Sequence, residues 1–421
     1  MNLLRSTSLQ VKSALVFCFL VTAFGLYAMR IQTILPVVAT SGFFSHASAS
    51  PKKHSSNDLR LNHIQVIGTH NSYHREISRG ERKVFEQYVP SPDNYYYSHS
   101  KWADQLDHQQ VRSFEIDLHS DTQGGLYSHP LIWKLSNLTN ETTQPWHDEN
   151  MDKPGLKVFH ITDVDTNSIC HTFIECLQQL KEWSNSHPHH LPLTFDLELK
   201  NDAMACPLGG VCAEEATQWN LERILNVDEE IRRIMPREKL IIPDDVRKPG
   251  LTLEESVLKH GWPSLQNSRG KFMFYFDNDP TNQTGDIRTL YRSDGHESLQ
   301  NRTVFTNAVE GDADCAFIKF NDPDVMEIQR LVKKGYFVRT RADEPITTII
   351  DRNVTRREFA MKSGGQVVST DYPAYGMSTR WDRDYAVQWE DGLVARCNPV
   401  TAPKWCKDGM VQERKGGKRE L

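Results

Sequence analysis

"HIQVIGTHNSYH", His63 to His74, joins an apolar strand to a cluster of polar side chains. Ile64, Val66 and Ile67 are apolar, Gly68 closes the run, and Thr69, His70, Asn71 and Ser72 follow. A buried strand that ends in a histidine and an asparagine side by side is either running into a turn or forming one wall of a site, and the other strands decide which. Similar apolar runs recur at Ser113–Leu118, Lys157–Ile161, Leu193–Leu199, Lys271–Phe276, Ala316–Phe320, Tyr336–Arg341 and Val367–Tyr372. Most are separated by stretches with helical spacing, such as 172–184, 218–234 and 325–334. Eight strands alternating with helices predict an α/β fold, a parallel closed barrel of the (β/α)8 type. Leu240–Ile242 and Val304–Ala308 are also strand-like, so the count is open by one or two.

The chain of 421 residues exceeds the roughly 250 that such a barrel needs. Hydrophobic and charged contents of 38% and 25% are those of an ordinary globular protein. A formal charge of −6 and a pI near 6.3 argue against nucleic-acid binding, which calls for a basic face. No feature suggests a protein partner.

The N-terminus differs from the rest. Arg5 and Lys12 precede an apolar run, Ala14 to Met29, and Ala47-Ser48-Ala49 offers a small-x-small cleavage site. Residues 1–49 are read as a signal peptide, with an uncleaved signal anchor as the alternative. Residues 50–60 form a linker, 61–400 the catalytic barrel and 401–421 a charged tail, whose last stretch "ERKGGKREL" (413–421) is expected to be mobile. Sequons at Asn137, Asn140, Asn282, Asn301 and Asn353 suit a glycoprotein on the secretory route. So do the close cysteine pairs 170/176, 206/212 and 397/406, expected as local disulfides, with Cys315 left reduced. The protein is therefore expected to be secreted or displayed at the cell surface, anchored there if the leader stays.

A barrel places its chemistry at the C-terminal ends of the strands. In "SFEIDLHSD" (113–121), Glu115 and Asp117 are two apart and point to one side, while Phe114, Ile116 and Leu118 face the helices. Two carboxylates inside a barrel must be compensated, by a paired cation or by a metal ion. "KVFHITD" carries His160. "PLTFDLELKND" carries Asp196, Glu198 and Lys200 on one face. "GYFVRTRADE" carries Arg339 and Arg341, and "VVSTDYP" ends in Asp371 and Tyr372. Asn71, Glu115, Asp117 and Glu198 would offer only oxygen ligands, which selects calcium or magnesium over zinc or copper. His70 and His160 are then free to move protons. His74, His119, His129 and the histidines of 187–190 are read as surface or loop residues. Asp163 and Asp165 are read as fixing the loop before Cys170.

In order, "GTHNSYH", "FEIDLH", "VFHITDVDTNSICHTF", "LPLTFDLELK", "GYFVRTRADEP" and "VVSTDYP" resemble the calcium-dependent, secreted branch of the phosphoinositide-specific phospholipases C, over roughly residues 60–375. The resemblance implies a distorted (β/α)8 TIM barrel of the phospholipase C-like phosphodiesterase type, with two catalytic histidines and one calcium rather than magnesium ion. By motif, His70 and His160 match the histidines, and Asn71, Glu115, Asp117 and Glu198 match the ligands. Arg341 resembles a substrate-contacting arginine. Lys200 and Tyr372 are substrate contacts by position. Asp196 departs from the animal enzymes' pattern, and is either a further ligand or a partner of His160 or Lys200. The implied activity is cleavage of phosphatidylinositol-type lipids at a membrane surface to diacylglycerol and a cyclic inositol phosphate. Two alternatives remain open. One is a same-fold glycerophosphodiesterase or sphingomyelinase D type enzyme, which the "THNS" context disfavours. The other is an inactive barrel used as a binding module.

Overall fold

The computed structural model describes residues 54–136, 146–200, 217–280, 287–344 and 346–413. The N-terminal apolar segment, Asn137, Asn140, Asn282 and the Cys206/Cys212 pair lie outside the described residues.

Among the described residues, eleven strands form one sheet: β1 (Ile64–Thr69), β2 (Ser113–Asp121), β3 (Gly155–Val158), β4 (Leu193–Leu199), β5 (Leu240–Ile241), β6 (Phe272–Phe276), β7 (Phe305–Thr306), β8 (Phe317–Lys319), β9 (Phe337–Arg341), β10 (Val367–Thr370) and β11 (Ala395–Cys397). Parallel pairing runs β6-β4-β2-β1-β10-β9-β8. β7 pairs with the end of β6 and meets β8 through a parallel bridge between Asn307 and Phe317. Eight parallel strands thus complete a distorted (β/α)8 barrel whose thinnest seam is the two-residue β7. β5 pairs with the beginning of β6.

The strand expected at Lys157–Ile161 is not a barrel stave. Gly155–Val158 runs antiparallel to the outer half of β2, from Leu118 opposite Val158 to Asp121 opposite Gly155. The nine-residue β2 carries on past the segment that pairs with β4, and β3 folds back along that extension. The eighth stave is β7, within the strand-like stretch Val304–Ala308.

Helices cover the outward faces. Thr172 caps Phe173–Ser186, Asn220 caps Leu221–Ile234, and Asp324 caps Val325–Lys334, each side chain accepting a first-turn N–H. Gly335 ends the last of these in a left-handed conformation (φ 122°). Phe173, Cys176, Leu177 and Leu180 pack against the outward row Phe114, Ile116, Phe195 and Leu197, all buried. Each such side chain contributes roughly 1.5–3 kcal/mol by burial. β1 lies close to both β10 and β2 at Gly68, where a Cβ would stand 2.9 Å from Val367 and 3.0 Å from Ser113.

Disulfides join Cys170 to Cys176 and Cys397 to Cys406, and Cys315 is a buried free thiol. β11 adds antiparallel to the start of β1. The first part of the segment read as a mobile tail is packed against the barrel: Glu413 accepts two hydrogen bonds from Arg112, at 2.6 and 2.7 Å. No helix among the described residues is long and apolar enough to cross a membrane.

Candidate active site

The parallel register builds the site. Glu115 lies beside Asp196 and Asp117 beside Glu198 on β2 and β4. On the other side of β4, Asp196 pairs with Tyr275 and Leu197 with Phe276, and the next residue, Asp277, donates its N–H to the Leu197 carbonyl. Period-two alternation therefore stacks two acidic rows inside the barrel.

Cations stand among these carboxylates. Arg339, fully buried, bonds Glu115 and stands 3.4 Å from Asp196. Lys200 lies 3.1 Å from Glu198 and 3.5 Å from Asp117, and Lys319 2.5 Å from Asp277. Compensation is incomplete. Both oxygens of Asp117 and Oδ1 of Asn71 are buried without a hydrogen-bond partner. Burial pushes the Glu115 carboxyl up to about 7 and that of Asp117 well above its usual range. Buried, unsatisfied, all-oxygen donors fit a hard divalent cation. One oxygen each from Glu115, Glu198 and Asp277 lie within 4.8 Å of one another.

The loop after β1 is stitched to β2. Asn71 adopts a left-handed conformation (φ 43°), which asparagine tolerates better than most residues. Ser72 donates its N–H to the Glu115 carbonyl, and its Oγ accepts the Glu115 N–H. Asn71 Nδ2 donates to the Tyr97 hydroxyl.

Each catalytic candidate histidine has a carboxylate partner. His70 Nδ1 is 2.7 Å from Asp371 Oδ1, and Nε2 is 3.6 Å from Glu115 Oε1. A carboxylate only accepts, so the Nδ1 proton points at Asp371. Arg341 joins the group, 3.1 Å from Asp371 and 3.1 Å from Glu344. Burial, then the Arg341 guanidinium, pushes the His70 imidazole down to about 3, while His70 and Arg341 hold Asp371 well below the usual carboxylate range despite burial. His160 Nδ1 is 2.9 Å from Asp165 Oδ2, across a tight turn in which Asp163 is left-handed. Burial lowers the His160 pKa, offset in part by Asp165.

His74 and Asp165 correct the sequence reading. His74 is fully buried, with Nδ1 3.1 Å from the Tyr97 carbonyl and Nε2 2.9 Å from Asp165. Two acceptors require both ring protons. Burial opposes that charge, yet Asp165 raises the His74 pKa. Asp165 thus bridges His74 and His160 rather than serving only its loop. His119 is also buried, stacked on Phe159 at 3.7 Å, and His190 is buried against Ser184. Asp196 meets Arg339, not His160 or Lys200. His70, Tyr95, Tyr97, His160, Arg341 and Tyr372 line one cleft. Asp277 and Lys319 had a sequence signal, since both sit at strand ends, but a single acid or lysine there is unremarkable without the register.

The family model described as "Phosphoinositide phospholipase C, Ca2+-dependent" matches residues 59–399. No curated protein matches. Among solved structures, the apo calcium-dependent phosphoinositol-specific phospholipase C of a Gram-negative Pseudomonas sp is similar at 16% identity, covering 82% of this chain and 96% of that one, with a TM-score of 0.49. A calcium-dependent phosphatidylinositol-specific phospholipase C from Streptomyces antibioticus is similar at 17% identity over 75% and 95%, with a TM-score of 0.47. On the strength of the family match across most of its length, the chain belongs to the calcium-dependent phosphoinositide phospholipases C.

Proposed function

We propose that the protein cleaves phosphatidylinositol-type lipids at a membrane surface, giving diacylglycerol and a cyclic inositol phosphate. The observation that carries this reading is the pairing of His70 with Asp371 and His160 with Asp165 on one cleft, beside a buried all-oxygen donor set. Asn71, Glu115, Asp117 and Glu198 would hold calcium. Bound there, the ion supplies Lewis acidity for the inositol hydroxyl and charge neutralisation at phosphorus.

The chain's own residues account for the rest. The nucleophile is the substrate hydroxyl next to the phosphate, so attack is intramolecular and no enzyme nucleophile is required. A ligand carboxylate accepts its proton. His70 turns Nε2 to the phosphoryl oxygens, because Nδ1 is committed to Asp371, and the substrate anion favours the protonated ring. His160, held through Nδ1, presents Nε2 to the leaving glycerol oxygen and donates the proton that completes diacylglycerol. Arg341, Lys200 and Tyr372 contact the inositol ring or its phosphates. The two disulfides suit the oxidising conditions of the secretory route.

Phosphorus NMR of the products from phosphatidylinositol, with calcium and with chelator, tests the reading. A cyclic phosphodiester signal that needs calcium and vanishes in His70→Ala and His160→Ala is expected. Release of choline or ethanolamine from other lipids without diacylglycerol, or activity that survives chelation, would overturn it.

A further inference from the structure

The acidic cluster contains a residue that the motif order does not supply. Asp277 follows β6, 4% exposed, and the register sets it level with Glu198. Its carboxylate belongs to the group with Glu115 and Glu198 in which one oxygen from each lies within 4.8 Å of the others. Calcium binds oxygen at about 2.3–2.6 Å, so two ligands of one ion stand at most about 5 Å apart. These three carboxylates already meet that limit. Asp117 is not in this group; it meets Lys200 at 3.5 Å. We propose that Asp277 is a calcium ligand of this site, contributed by β6 beside the Asn71, Glu115, Asp117 and Glu198 set. The inference rests on the calcium-binding reading above.

Two further observations support it. The first is Asn71 Oδ1, a buried acceptor with no hydrogen bond, which calls for a ligand. The second is charge. Glu115, Asp117, Asp196, Glu198 and Asp277 face Lys200, Lys319 and Arg339. These carboxylates outnumber the lysines and arginine paired with them, a surplus that a divalent ion would offset. The pairing of Asp277 with Lys319 is no obstacle. It engages Oδ1, and a carboxylate has a second oxygen and further lone pairs to offer. Five protein residues also leave calcium, with its six to eight oxygens, room for substrate.

Terbium(III), a hard-cation probe, tests this directly. Its luminescence lifetimes in H2O and D2O count the waters on the bound ion, and calcium competition gives affinity. Asp277→Ala is expected to add one inner-sphere water and to weaken calcium binding at least about tenfold. Asp196→Asn removes a neighbouring charge without removing this ligand, and is expected to add none. An unchanged water count in Asp277→Ala, with an affinity loss no larger than that of Asp196→Asn, overturns the proposal. Glu198→Gln separates the two levels: if wild type binds neither ion, the calcium reading itself falls; if Glu198→Gln weakens binding and Asp277→Ala does not, only this inference falls. Should Asp277→Ala not fold in chelator, Asp277→Ser, too short to ligate, is read in the same way.

Discussion

His160 shows how a single residue acquires a role from its neighbours. An isolated imidazole has two equivalent chances of carrying its proton. Here Asp165 fixes Nδ1–H and leaves Nε2 toward the cleft, while His74 shares the same carboxylate oxygen, Oδ2. Asp165→Asn keeps the shape but can turn an N–H toward Nδ1, which favours the wrong tautomer. The expected result is a fall in kcat of roughly 10²–10⁴-fold with KM near wild type and calcium affinity unchanged. Initial rates on phosphatidylinositol vesicles, beside equilibrium calcium binding, check it; a kcat within threefold of wild type would sink the pairing. The histidines, the asparagine and the E-x-D pair could be singled out in the sequence because each stands within or just after an apolar strand. Their partners could not. Asp371 is 301 positions from His70, and only closure of β1 against β10 brings them together. Asp165 is five residues from His160, but its side chain is also claimed by His74, which nothing local announces.

At the scale of elements, β3 and β7 show what periodicity does not resolve. Leu156 and Val158 alternate with Lys157 just as a barrel stave would, yet they pair antiparallel with β2. Conversely, β7 spans two residues, below the length at which a pattern exists. The alternation of apolar and acidic residues in β2 and β4 was the reliable signal, since burial on both faces leaves the acids only the barrel interior. The β3 arm is tied to helix Leu221–Ile234 by Glu230, whose Oε1 accepts the Leu156 N–H at 3.0 Å. Its other oxygen has no partner, and burial pushes the carboxyl up to about 7. A raised carboxyl stabilises the fold below its unfolded value near 4.5, and this contribution is lost as pH rises through about 7. The shift corresponds to about 3 kcal/mol. Glu230→Gln should therefore melt higher than wild type at pH 8 and little differently at pH 4, measured by thermal unfolding at both. An equal shift at the two pH values would reject the assignment.

The whole molecule separates chemistry from stability along the barrel axis. The rim concentrates buried charge that the fold tolerates only in compensated form, and the opposite end carries the latch between Arg112 and Glu413. Arg112 precedes β2, is 2% exposed, and donates to the carbonyls of Leu106 and Val111 as well as to both Glu413 oxygens. Glu413 also accepts the Leu191 N–H beside the start of β4, so a residue near the C-terminus clamps two neighbouring staves. Burial alone would raise the Glu413 carboxyl, but Arg112 holds it below the usual glutamate value. A depressed carboxyl contributes stability that is present above its unfolded pKa and is lost as pH falls through the folded one. Removing one member of such a pair strands the other, at a cost of up to about 3 kcal/mol. Glu413→Gln is thus expected to melt several degrees below wild type at pH 7. The two proteins should converge as pH falls below the usual glutamate range, because wild type loses the same charge there. Calcium affinity should be the same in both, since the hydrogen bonds of the latch reach Leu106, Val111 and Leu191 and none of the candidate ligands. Melting curves across that pH range, with calcium titrations at pH 7, decide it: a difference that persists in acid, or a changed calcium affinity, would show that Glu413 acts through something other than its pair with Arg112.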